Sequence, residues 1–76
     1  MIDVLQPNDL LPMWVVYDRP TDYPDRIVAQ LFENDRPTNI CIFADSLREI
    51  RQELSPGRIC IPRLSRDPLA VVETWL

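Results

Sequence analysis

The sequence predicts an α+β domain in which an antiparallel sheet of four or five strands carries one helix on one of its faces. Three observations lead there. Short runs of β-branched and aromatic residues are separated by proline- and aspartate-rich turns. A single stretch changes from a period of two to a helical period. With 76 residues, the chain is too short to divide its buried surface between two cores.

The elements follow in order. Residues 1–12, MIDVLQPNDLLP, carry two prolines and no sustained period, and are read as an N-terminal arm ahead of a single domain spanning 13–76. Met13-Trp14-Val15-Val16-Tyr17 is the first strand. The segment from Asp18 to Arg26 holds Pro20 and Pro24, can donate few ladder hydrogen bonds and must be a loop. Ile27 to Glu33 reads as the second strand, Asn34 to Thr38 as a turn, and Asn39 to Phe43 as the third strand, closing a meander.

At Ala44-Asp45-Ser46 the pattern changes. Leu47, Ile50 and Leu54 recur at helical spacing with charged residues between them, and Ser46 followed by Glu49 has the spacing of a capping box. Pro56 and Gly57, the only glycine, stop the helix. Arg58 to Ile61 and Ala70 to Trp75 supply two more strands. The resulting order is β1-β2-β3-α-β4-β5, with no internal repeat and no second domain.

Composition narrows the class. The chain is 46% hydrophobic and 26% charged, as in globular proteins. No apolar run approaches the roughly 18 residues that cross a bilayer. The opening residues lack the basic region and apolar core of a secretory signal, so a soluble protein of the cytoplasm is expected. Cys41 and Cys60 both lie in apolar runs, which reads as buried thiols of a reducing compartment and not as a disulfide. The net charge of −4 argues against a phosphate backbone as partner. Every one of the 8 basic residues is arginine, which is read as the codon bias of a GC-rich bacterial or phage genome; recognition of a partner's carboxylates by guanidinium groups is the other reading.

Whole families of chemistry lack their residues. Without histidine there is no imidazole base, no Ser-His or Cys-His pair and no histidine metal ligand. One glycine cannot build a phosphate-cradling loop. The cysteines form no C-x-x-C pair. Asp18, Asp22 and Asp25 are the nearest approach to an oxygen-ligand cluster, yet they match no calcium-loop spacing and are read as residues of a solvated turn. The chain is therefore read as a non-enzyme that needs no cofactor.

What remains is surface. Strands one to three each send apolar side chains to both faces, whereas one helix of about ten residues covers only one face. The second face is expected to stay partly apolar and open unless the arm, from Leu5 to Leu11, folds over it. Such a face marks an interface with a protein partner or a second copy. The expected partner-binding residues are Trp14, Phe32 and Phe43 for the aromatic surface and Asp18, Asp22, Tyr23 and Asp25 for the acidic loop.

The stretches MWVVYD and PTDYPD near the start, with the DP and VVETWL of residues 67–68 and 71–76, resemble a group of small uncharacterised proteins of proteobacteria and their phages. The resemblance covers most of residues 13–76 and implies no catalytic residue, since that group has no assigned activity; residues 1–12 depart from it. Two functional expectations follow. The first is a non-enzymatic protein-protein interaction module of bacterial or phage origin, for example an inhibitor of a host system such as an anti-CRISPR protein, covering a partner's basic surface. The second is a small-molecule or metal-binding accessory domain built on the acidic 18–26 loop.

Overall fold

Three of the five strands are successive hairpin partners, so the sheet begins as a meander and is completed by residues far along the chain. A computed structural model describes residues 12–65, 67–68 and 70–76. The strands are β1 (Pro12–Asp18), β2 (Ile27–Glu33), β3 (Arg36–Ala44), β4 (Cys60–Pro62) and β5 (Val71–Trp75), with helix α1 (Leu47–Leu54) between β3 and β4. They form one sheet in the order β3-β2-β1-β5-β4. Every pairing is antiparallel. The α+β class and the element order thus agree with the sequence reading. The arm, and any cover it gives the sheet, falls outside the described residues.

The sheet's two faces follow from register, because residues directly opposite one another in an antiparallel pair share a face. Val16 lies opposite Ala29 and Glu73, and Ala29 opposite Ile42. Trp14 lies opposite Leu31 and Trp75. These residues line the helix face, where Val16, Ile27, Ala29, Ala44, Ile50, Leu54 and Trp75 make the core and Trp14, Ile42 and Leu47 pack against it. Ile50 and Leu54 are buried almost completely, each contributing about 1.5–3 kcal/mol.

The helix starts where its cap allows. Ser46 is extended and its hydroxyl accepts a hydrogen bond from the Glu49 amide at 3.2 Å. At the other end Gly57 takes φ +73°, a left-handed conformation that costs glycine little. From there the chain reaches β4, at the opposite edge of the sheet from β3. The connection through α1 therefore carries the chain across the whole sheet.

Several boundaries differ from the sequence reading: β1 takes in Pro12 and Asp18, β4 runs Cys60–Pro62 and does not start at Arg58, and β3 begins early, at Arg36. The turn between β2 and β3 comprises only Asn34 and Asp35, at φ 53° and 64°, the primed conformation that suits a two-residue hairpin. Arg36 and Pro37 already belong to β3. Proline is tolerated there because β3 is an edge strand. Past Pro37 the ladder slips: Phe32 faces Pro37 but Gln30 faces Cys41. Side chains bridge the gap, with the Thr38 hydroxyl donating to the Leu31 carbonyl at 2.7 Å and the Gln30 amide donating to the Thr38 carbonyl at 3.1 Å.

β5 carries a second irregularity. Val16 faces Glu73 whereas Tyr17 faces Val71, so one residue, Val72, is extra. The bulge turns Val71 to the face away from the helix while Glu73 and Trp75 stay on the helix side.

Candidate functional site

The face opposite the helix is built in rows. Tyr17 lies between Val71 and Val28, and Val28 next to Phe43. The neighbouring row runs Ile61, Thr74, Val15, Gln30, Cys41. Val15, Val28 and Val71 are buried, Met13, Tyr17, Phe32 and Cys41 half-buried, and Phe43 is 42% exposed. Among the described residues no helix covers this face; two loops flank it.

The first loop joins β1 to β2. The Arg19 amide donates to the Arg26 carbonyl at 2.9 Å, closing its neck, and the Tyr23 amide donates to the Pro20 carbonyl at 2.9 Å, making a turn within it. This presents Tyr23 toward the sheet, where its ring meets Phe43 edge-on with centroids 4.8 Å apart at 61°. The second loop, from Arg63 to Ala70, is braced by Asp67. Its carboxylate accepts from the Leu64 amide at 2.9 Å and its carbonyl accepts from the Arg63 guanidinium at 2.8 Å.

Between the loops lie two cavities that share Tyr17 as a wall. One, of about 420 Å³, is lined by Tyr17, Asp22, Tyr23, Gln30, Thr38 and neighbouring residues including Cys41. The other, of about 390 Å³, has a more apolar lining that includes Met13, Phe32, Ile61, Leu64 and Val71. Burial, and then the proximity of Cys41, raises the Tyr17 phenol above its usual range, so it remains a protonated donor.

The sequence-predicted residues divide among these places. Asp22 and Tyr23 line the first cavity, Phe43 supports Tyr23, and Phe32 lines the second. Trp14 sits on the other face, half-buried against the core. Asp18 and Asp25 are exposed at the neck and tip of the first loop. Among the described residues no three His, Cys, Asp or Glu side chains converge as a metal site would require. Tyr17, Gln30, Thr38 and Leu64 were missed by sequence reasoning. The alternation of β1 and β2 places Tyr17 and Gln30 on the open face, which is the signal that could have found them.

The helix face holds a separate polar cluster. Glu73, 4% exposed, accepts from the Arg51 guanidinium through Nη2 at 2.7 Å and Nε at 3.1 Å, and from the Trp75 indole at 2.8 Å. Burial alone would raise the Glu73 carboxyl, but the hydrogen bonds from Arg51 and Trp75 outweigh it and hold the group below its ordinary range. Cys60 beside it has its thiol pushed up by desolvation and by the Glu73 charge, with Arg51 pulling the other way. A thiol so placed is a poor nucleophile.

Both cysteines are free, but neither is the buried thiol the sequence suggests: Cys41 is half-buried on an edge strand and Cys60 is exposed on the other edge strand. They stand on β3 and β4, the two outermost strands, about four strand spacings or roughly 19 Å apart. That is far beyond disulfide reach. Among the described residues no helix is long and apolar enough to cross a membrane. No family model matches the chain, and neither a curated protein nor a solved structure does.

Proposed function

We propose that the protein is a non-enzymatic binding module whose open sheet face receives a protein partner. The observation that carries this reading is the pair of adjoining cavities across Tyr17, on the face that the helix does not cover. One offers an apolar wall of Met13, Phe32, Ile61 and Leu64; the other adds Asp22 and hydrogen-bonding groups. Contiguous apolar surface rimmed by polar residues is the usual composition of an interaction site. The net charge of −4 favours a partner with a basic surface. A small inhibitor that occupies the basic site of a host protein, in a bacterium or its phage, would use such a face. The second reading, a small-molecule accessory domain, draws on Asp22 and Tyr23 sharing a cavity wall.

The test uses the protein captured from a bacterial lysate by the tagged wild-type chain, then purified and titrated. Leu64 and Phe43 are both exposed, so Leu64→Asp and Phe43→Asp leave the core intact. Each is expected to weaken binding about tenfold or more, since each places a charge in an apolar contact. Arg48→Asp on the exposed side of α1 is expected to change little. A partner held equally by both face variants would refute the reading.

A further inference from the structure

We infer that the cavity between Tyr17 and Tyr23 is a cation site that receives the guanidinium or ammonium end of a basic side chain of the partner. This rests on the reading that the open face meets a protein. The chemistry of the lining selects a cation. Two tyrosine rings in the lining offer the electron-rich surfaces over which cations sit, and Pro20 and Val28 add apolar wall. The Tyr23 ring is held in place by its edge-on contact with Phe43 at 4.8 Å.

Asp22 supplies the charge. Among the described residues its carboxylate has no ion pair and no side-chain hydrogen bond. The nearby loop cation Arg26 is instead 3.5 Å from Asp45. Neither Arg26 nor Arg19 lines the cavity.

Two of the polar side chains in the lining have a donor engaged within the sheet. The Gln30 amide nitrogen donates to Thr38, and the Thr38 hydroxyl donates to Leu31. Gln30 Oε1 is left as an acceptor without a partner among the described residues. A cationic terminus with several N–H donors complements the Asp22 carboxylate, the Gln30 acceptor and the two rings together, which describes guanidinium and ammonium among side-chain termini. A volume of about 420 Å³ accommodates the alkyl stem as well.

The test is a two-dimensional NMR titration of the full chain with tetramethylammonium and with N-acetyl-arginine amide, using N-acetyl-citrulline amide as the neutral isostere. Both cations are expected to give saturable shifts at the amides of Tyr17, Asp22, Tyr23, Asn39 and Cys41, and citrulline none. Tyr23→Leu and Asp22→Asn should each weaken cation binding about three- to thirty-fold, whereas Tyr23→Phe, which keeps the ring, should stay within about twofold. Equal shifts with citrulline, or no saturable shift with either cation, would overturn the site. A partner lost by Leu64→Asp from a protein blind to cations refutes only the cation site. A cation response in a protein whose partner ignores both face variants refutes only the proposed function.

Discussion

Glu73 is the residue whose environment departs most from what its type prefers. A carboxylate this deeply buried is stable only because Arg51 and Trp75 satisfy its oxygens. Removing it by Glu73→Ala orphans the indole N–H of Trp75, itself buried, and is expected to cost about 1–3 kcal/mol in denaturant unfolding. Its pH dependence has a definite sign. The folded-state value lies below the ordinary 4.5, so the contribution is fully present above that pH and is lost as pH falls through the folded value. Stability measured from neutral pH into the acid range should therefore fall more steeply in wild type than in Glu73→Gln; identical slopes would exclude the mechanism. The strand containing Glu73 was legible in the sequence, but its burial was not, because Arg51 lies on α1 and only tertiary packing brings the two together. Ser46 is the opposite case: its capping partner Glu49 is local, so spacing alone identified it.

Among the elements, the β2–β3 hairpin is the most informative. Its turn places two residues with side chains, Asn34 and Asp35, in the left-handed region. Asp35→Gly is expected to relieve strain and raise stability by about 0.5 kcal/mol after the greater freedom of unfolded glycine is counted, seen as a higher thermal midpoint. Ser46→Ala, by contrast, should lower stability by about 1 kcal/mol through loss of the helix cap. If Asp35→Gly destabilised the fold, the turn assignment would be wrong. The start of β3 was hidden in the sequence for a physical reason. Pro37 argues against a strand in general, yet an edge strand has one side without ladder bonds and accepts it. The bulge in β5 was hidden too, since Val71 and Val72 are interchangeable in any alternating pattern and only the pairing with Tyr17 and Val16 distinguishes them.

At the scale of the molecule, alternation along each strand was enough to foresee a second apolar face, and the order of strands across the sheet was not. Alternation is a local property, whereas neighbours such as β1 and β5 are selected by how the whole chain packs. The same limit explains why Asp22, Tyr23, Phe32 and Phe43 were identifiable as surface candidates while their division into two cavities, and the place of Trp14 on the other face, needed the fold. The adjacency of β1 and β5 also has a consequence in time. The meander can close through short loops, but Trp14 meets Trp75 only after nearly the whole chain has been gathered, and loop closure over such a span comes before any contact rewards it. Folding should accordingly take milliseconds to seconds, not microseconds, with the change in tryptophan emission marking the late arrival of β5 beside β1. Complete recovery of that signal within microseconds of a denaturant jump would mean that the two strands find each other before the meander forms.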